Sequence, residues 1–223
     1  MYRDWIIKVL YPILDCFCRY NALDTCKPKD YKMTFGEWEL LAKQGIAEAE
    51  YNLGLMFSRG KEVPRDDKKA VKWYQLAAEQ GLAQAQHNLG VMYGRGQGVV
   101  KDYQEAIKWF KLSGEQGYAQ AQYNLGMMCS RGEGTRRDDK EAAKWYRRAA
   151  EQGIAGAQSN LGLMYEKGQG FEQDYVEAHK WFNIAGMNGN EIGRRNADII
   201  EKKMTPGQIA VAVGLTRKWL EKL

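Results

Sequence analysis

Few side chains in this sequence of 223 residues have the types and spacing that chemistry requires. The two histidines, His87 and His179, lie far apart in the chain, whereas a metal site or an acid–base pair needs its groups at defined spacings. The Gly-x-Gly segments at residues 96–98, 132–134 and 168–170 lack the preceding strand that a phosphate-binding loop requires. The sequence therefore predicts no catalytic, cofactor-binding or metal-binding residue, and we expect a protein that is not an enzyme.

Aspartate recurs at a spacing of 36 residues and offers carboxylates at regular positions. The series is Asp66, Asp102, Asp138 and Asp174. Each aspartate precedes a segment of helical periodicity, where its carboxylate can accept hydrogen bonds from the backbone amides of the first turn. All but the first are followed at the third position by glutamate, which is the pattern of a capping box. We interpret the series as helix caps.

A second set of side chains has the chemistry for binding a partner. A cation recurs every 36 residues beside a row of aromatic and apolar residues, and the predicted partner-binding residues are Tyr51, Arg59, His87, Arg95, Tyr123, Met127, Arg131 and Lys167. Arginine binds carboxylates through two parallel hydrogen bonds, so an acidic peptide or a free carboxylate would suit this surface. A cation in the last turn of a helix also stabilises that helix by about 0.3–1 kcal/mol without any partner. Both interpretations of the basic residues stay open.

The elements that position these residues are four tandem repeats. The repeats begin at Gly45, Gly81, Gly117 and Gly153, each 36 residues after the last, and a fifth start at Gly189 keeps the register before the pattern decays. An Asn-Leu-Gly triplet and a tryptophan followed by tyrosine or phenylalanine recur in every copy. Such self-similarity is the sequence signature of a solenoid, in which each repeat contacts mainly its neighbours.

Each repeat has the pattern of two helices. In the first copy, one apolar stripe at helical spacing is formed by Ala49, Leu53, Met56 and Phe57, and a second by Ala70, Trp73, Tyr74 and Ala77. The Arg59-Gly60 pair between the stripes is typical of a helix C-terminus. Glycine recurs inside the first helix as Gly54, Gly90, Gly126 and Gly162. Since an internal glycine costs about 1 kcal/mol relative to alanine, its recurrence predicts close packing between helices.

These motifs resemble the Sel-like repeat, a relative of the tetratricopeptide repeat. The resemblance covers residues 36–188 and rests on an Ala-x-x-Asn-Leu-Gly-x-Met-Tyr helix, a Gly-x-Gly-Val loop and a Trp-Tyr/Phe helix that ends in Ala-Ala-Glu-Gln-Gly. It implies an all-α, right-handed α/α solenoid, with the first helix of each repeat on the concave face. Members act as adaptors, and some neutralise toxins. A cysteine-rich branch is linked to β-lactams, but the paired cysteines of that branch are missing here.

The same register divides the chain into domains. We expect an N-terminal apolar cap at 1–35, a half-repeat helix at 36–44, repeats at 45–80, 81–116, 117–152 and 153–188, and a partial repeat with a capping helix at 189–223. Residues 1–20 are apolar but too short and too charged to cross a bilayer. Packing over the first repeat, attachment to a membrane surface and dimerisation remain alternatives for this segment, and the oligomeric state stays open. Thr205-Pro206 is a start signal for the closing helix.

Charge and cysteine content limit the partners and the compartment. The net charge of +5 is compatible with an acidic protein partner, and the aromatic residues lie at core spacing instead of forming a nucleic-acid motif. Cys16 and Cys18 have no zinc or redox spacing, and Cys129 occupies a position where other repeats have phenylalanine or tyrosine. We expect a cytoplasmic protein, with a periplasmic or membrane-associated location as the alternative, that does not bind nucleic acid.

These observations favour a non-catalytic adaptor that binds a protein or peptide partner in its concave groove. A narrower alternative is an immunity or regulatory protein that neutralises one cognate effector. A hydrolase of β-lactams or cell-wall fragments is the less favoured third hypothesis.

Overall fold

The computed structural model describes residues 33–221, which form eleven α-helices and no strand. In chain order these are α1 Phe35–Ala42, α2 Ala47–Arg59, α3 Asp67–Glu79, α4 Ala83–Arg95, α5 Tyr103–Glu115, α6 Ala119–Arg131, α7 Asp139–Glu151, α8 Ala155–Lys167, α9 Tyr175–Met187, α10 Glu191–Glu201 and α11 Pro206–Leu220. Each helix from α1 to α9 packs against the next one in the chain, and α11 packs against α9. This is the all-α repeat solenoid that the sequence predicts, with one half-repeat helix, four helix pairs and two closing helices.

The ends of the helices follow from capping residues. The first helix of each repeat ends at a glycine in the left-handed region, with φ of 66° at Gly60 and 70° at Gly132, a conformation that side chains disfavour. The aspartate series caps the second helices as predicted, and Asp102 accepts hydrogen bonds from the amides of Gln104 and Glu105.

The predicted reciprocal half of the capping box is wrong for the aspartate series. The Glu105 carboxylate lies 3.1 Å from Lys108 Nζ, and the glutamates of the next two repeats likewise pair with a lysine three residues on. Lysine competes successfully because an ion pair on the helix surface satisfies the carboxylate without bending it back to the cap. A full capping box forms at Thr205 and Gln208, as the start signal for α11 predicts.

The glycine inside each first helix lies directly under an aromatic ring, which confirms the predicted close packing. A Cβ atom added at Gly54 would come within 2.5 Å of the Tyr74 ring, and one added at Gly90 within 2.8 Å of the Phe110 ring. The ring belongs to the residue that follows the tryptophan of the repeat. Because glycine has no side chain, the second helix can place this aromatic residue against the backbone of the first helix.

Buried amides fasten consecutive repeats together. Gln116 Nε2 donates to Gln86 Oε1 over 2.7 Å, and Gln86 Nε2 donates to the carbonyl of Ala78 over 3.1 Å, so one chain of bonds joins α5, α4 and α3. The same chain of bonds recurs one repeat later through Gln152 and Gln122. Buried polar groups are stable only when they are hydrogen-bonded, so this amide chain also fixes the register between repeats.

The C-terminal helices close the array. Ala197 and Ile200 of α10 are buried against α9, and Trp219 of α11 lies edge-on to Trp181 with 6.1 Å between ring centroids. Among the described residues, no helix is long and apolar enough to cross a membrane. The N-terminal cap predicted for residues 1–35, and with it the alternatives for residues 1–20, lies almost entirely outside the described residues.

Candidate binding surface

The eight predicted partner-binding residues all lie on the first helices of the repeats. We call the surface that they form the first-helix face: Tyr51, Arg59, His87, Arg95, Tyr123, Met127, Arg131 and Lys167. The four cations stand exposed in the last turns of α2, α4, α6 and α8, and the other four residues are half-buried. The four cations therefore form one row, and Tyr51, His87 and Tyr123 form a second row at equivalent positions, with Met127 one turn further along α6.

Consecutive repeats meet on this face at positions that we call seams. Seam 1–2 contains Tyr51, Ser58, Tyr74 and Asn88. The rings of Tyr51 and Tyr74 are 5.9 Å apart, and the Tyr74 hydroxyl lies 3.0 Å from Ser58 Oγ. Ser58 donates its own proton to the carbonyl of Leu55, so the Tyr74 hydroxyl is the donor of the pair.

The two phenols of seam 1–2 lie in a partly dry and positively charged setting. Burial raises the pKa of Tyr51 and of Tyr74, while the nearby Asn88 amide and the Arg59 guanidinium act in the opposite direction. An amide donor and a cation both favour negative charge at an oxygen atom. The seam thus groups hydrogen-bond donors and a positive charge around the phenolic oxygens.

His87 is the central residue of seam 2–3, and both of its ring nitrogens are already bonded. Nδ1 lies 3.1 Å from Asn88 Oδ1, and Nε2 lies 3.1 Å from Asn124 Nδ2. Because the Asn124 amide donates, Nε2 must accept and the proton must be on Nδ1, which makes the imidazole neutral. Burial lowers the pKa of His87 and favours the same state. The ring of His87 can contact a partner, but its nitrogen atoms are committed to the fold.

Seam 3–4 repeats the geometry of seam 1–2 and contains Tyr123, Ser130, Tyr146 and Asn160. The rings of Tyr123 and Tyr146 are 6.0 Å apart, and the Tyr146 hydroxyl lies 3.2 Å from Ser130 Oγ. Burial raises the pKa of Tyr146, while the Ser130 hydroxyl, the Asn160 amide and the Arg131 guanidinium act in the opposite direction.

Two half-buried serines and two buried tyrosines belong to these seams and were not predicted as members of the binding surface. Ser58, Tyr74, Ser130 and Tyr146 stand behind the predicted residues and orient the polar groups of the surface. The signal was present in the sequence: serine and tyrosine occur together in the first and third repeats only. Comparison of each repeat with the next hides this pattern, because the matching copies are two repeats apart.

Other reactive side chains have structural roles. His179 is fully buried, with Nε2 at 2.7 Å from Glu201 Oε1 and Asn183 Nδ2 at 3.1 Å from Nδ1. Burial is tolerated because both ring nitrogens have partners. Cys129 is buried in the core, and burial raises the pKa of its thiol. Between residues 33 and 221, no group of three or more potential ligands could hold a metal ion.

Comparison with known proteins identifies the repeat. The family model described as Sel1 repeat matches residues 47–82, 83–118, 119–154 and 155–190, which together are more than half of the chain. Comparison with curated proteins gives no match.

Two solved structures are similar to this chain over most of its length. A protective antigen of uropathogenic Escherichia coli with an SLR fold is 38% identical, with a TM-score of 0.78 over 84% of this chain and 40% of the antigen. A Sel1 repeat protein from Oxalobacter formigenes is 35% identical, with a TM-score of 0.67 over 70% of this chain and 64% of that protein. The chain thus matches less than two thirds of the length of either structure.

Proposed function

This chain belongs to the Sel1 repeat family, and from that premise we propose that it is a non-catalytic scaffold whose first-helix face binds a protein or peptide partner. Sel1 repeats commonly mediate protein–protein interaction. Specificity in repeat proteins is carried by surface side chains on a shared scaffold, so the proposal depends on the surface rather than on the fold.

The observation that carries the proposal is the unneutralised row of cations. Arg59, Arg95 and Lys167 have no acidic side chain within 4.0 Å among the described residues, and Arg131 has only the half-buried Glu133 at 3.7 Å. Elsewhere on the surface, one lysine in each of three second helices pairs with a glutamate three residues away. Unpaired arginines beside half-buried aromatic residues favour an acidic partner, since both residue types are enriched where interfaces are strongest.

Photocrosslinking tests which face the partner contacts. Gln84 on α4 and Gln75 on α3 are both exposed glutamines, but only Gln84 lies on a first helix. We expect a benzophenone side chain at position 84 to crosslink a discrete protein in lysate of the source organism, and the same group at position 75 to crosslink little of it. Crosslinking of that protein from position 75 alone would place the interface on the second helices and contradict the proposal.

A charge-reversal variant tests the chemistry of the same interaction. Arg95→Glu combined with Arg131→Glu should abolish retention of the crosslinked protein on an affinity column, because it replaces attraction by repulsion in the middle of the row. Circular dichroism must show that the variant remains folded. Equal retention of that protein on columns that carry the wild type and the variant would show that the two arginines only stabilise the ends of their helices.

A further inference from the structure

Alternate repeats of this chain match each other more closely than neighbouring repeats do. At three positions the first and third repeats have the same residue type: serine (Ser58, Ser130), tyrosine (Tyr74, Tyr146) and aspartate (Asp67, Asp139). At these positions the second and fourth repeats have, in the same order, Gly94 and Glu166, Phe110 and Phe182, and Tyr103 and Tyr175. The structure shows the same alternation. Arg65 forms a two-pronged ion pair with Asp67, and Arg137 forms the same pair with Asp139, with N–O distances of 2.9–3.0 Å.

The alternation decides which seams can bind an anion. In seam 1–2, Asn88 Oδ1 accepts the His87 proton, so its Nδ2 group is the side that faces the tyrosines. Tyr74 donates to Ser58, which leaves its proton committed inside the fold. The half-buried Tyr51 hydroxyl has no acceptor among the described residues, so its proton is available to a partner, and the exposed Arg59 lies eight residues further along the same helix.

Seam 3–4 has the same two residue types at the same spacing, with the half-buried Tyr123 and the exposed Arg131 eight residues apart on α6. Tyr146 is again committed to Ser130, and Ser130 to the carbonyl of Met127. The contact of Arg131 with Glu133 is exposed on the arginine side, and a carboxylate from a partner can replace it.

Seam 2–3 and the fourth repeat lack this arrangement. In seam 2–3, His87 has used both nitrogens, and Phe110 and Gly94 bring no hydroxyl group. In the fourth repeat, the buried Ser159 stands in the place of Tyr51, so no phenol lies on α8 at this position.

We propose that Tyr51 with Arg59, and Tyr123 with Arg131, bind two carboxylates of one extended acidic segment of a partner protein. This inference rests on the proposed function and adds to it the chemistry and the spacing of the ligand. The two donor pairs are two repeats apart, which is roughly 20 Å if packed helices lie about 10 Å apart. An extended chain advances about 3.3 Å per residue, so the two acidic residues should be about six residues apart.

Synthetic peptides test the spacing directly. The probe is a fluorescein-labelled series in an alanine–serine background with two glutamates separated by roughly two to ten residues, and a control peptide that has one glutamate. Fluorescence anisotropy at low salt should give an affinity maximum near a separation of six. At that maximum we expect binding about tenfold tighter than for the single-glutamate peptide, because the second contact forms within an already bound chain.

Three arginine variants of the full chain provide the matched comparison. Arg59→Gln and Arg131→Gln should each remove the spacing preference and reduce the affinity of the best peptide to that of the single-glutamate control. Arg95→Gln removes the same charge from seam 2–3 and should change that affinity less than about twofold. Tyr51→Phe and Tyr123→Phe keep the rings and remove only the hydroxyls, and each should weaken the best peptide about fivefold.

The possible failures separate this inference from the proposed function. If Arg95→Gln weakens binding as much as Arg59→Gln, the face binds acidic peptides through a uniform row and the two-carboxylate register is wrong. If affinity shows no optimum in spacing, or if no peptide of the series binds, the inference is overturned as well. In each case the crosslinking experiment still decides whether the first-helix face binds a protein.

Discussion

Glu50 occupies the position that Gln86, Gln122 and Gln158 occupy in the later repeats. Those glutamines donate to the carbonyl group eight residues earlier, which a carboxylate cannot do. Glu50 is only 3% exposed and accepts a hydrogen bond from Gln80 over 2.7 Å. Burial raises its pKa. The first repeat thus has a buried acid at a point where the rest of the array has an amide.

We expect Glu50→Gln to stabilise the protein by about 1 kcal/mol, because the amide can donate to the carbonyl of Ala42 and removes a buried charge. Because the pKa of Glu50 is higher in the folded state, the folded wild-type protein loses stability as pH rises from the unfolded-state pKa of this carboxyl through its folded-state pKa. The gain should therefore be larger at pH 8 than at pH 4, which thermal unfolding at both values measures. A lower melting temperature for the variant at pH 8 would contradict this account.

His87 predicts the opposite dependence on pH. Its pKa is lowered in the folded state, so the unfolded chain binds the proton more readily and stability falls as pH drops below about 6.5. His87→Tyr introduces the residue that seams 1–2 and 3–4 already have at this position. Between pH 7.5 and pH 5, we expect the wild type to lose more stability than this variant, by an amount on the order of 1 kcal/mol. Parallel pH profiles in urea unfolding would show that His87 does not titrate as described.

Substitutions at Gly90 and Gly94, one turn apart in α4, distinguish the effect of helix propensity on stability from the effect of packing. We expect Gly90→Ala to destabilise the protein by about 2 kcal/mol, since the new methyl group would meet the Phe110 ring at 2.8 Å and the Ala106 carbonyl at 3.2 Å. Gly94→Ala should stabilise it by about 0.5–1 kcal/mol, because its Cβ would have only Ala106 Cβ at 3.7 Å as a neighbour. Chemical unfolding of both variants gives the comparison. Equal effects would mean that the Phe110 ring moves away freely.

At the level of elements, local patterns were sufficient to predict the fold. Periodicity located the paired helices, the Arg-Gly pairs marked the ends of the first helices, and the aspartates marked the starts of the second helices. The capping boxes were predicted from spacing alone and did not form, because spacing does not show that Lys108 competes for the Glu105 carboxylate. Full burial of His179 could not be predicted from local patterns either, since its partner Glu201 comes from a different helix.

The candidate surface was predictable only in outline. The two rows follow from helix geometry, so their positions could be derived from the repeat. Which hydroxyls meet behind the surface depends on side-chain direction, and the contact of Tyr74 with Ser58 joins two helices of one repeat. Periodicity therefore predicts Tyr51 and Arg59 without the residues behind them, and it makes the four cations equivalent although their surroundings differ.

At the level of the whole molecule, the buried amides should determine how cooperatively the array unfolds. Gln122→Ala removes the acceptor of Gln152 and the donor to the Gly114 carbonyl, which costs about 2–3 kcal/mol at the junction of the second and third repeats. Unfolding of a linear array separates into steps when one interface is weakened. We expect two transitions in urea, with tryptophan fluorescence and circular dichroism no longer coincident. A single coincident transition would show that the other contacts hold the junction.

The match between alternate repeats restricts how such a chain can change in length. The junction of the first and second repeats resembles that of the third and fourth, where Gly98 and Gly170 pack on the backbones of Asp67 and Asp139. Inserting a pair of repeats recreates only junctions that the chain already contains. Inserting a single repeat places two copies of the same type side by side and creates a junction with no precedent in the molecule. The pair of repeats is therefore the unit that can be inserted into the array, or removed from it, with only existing kinds of junction remaining.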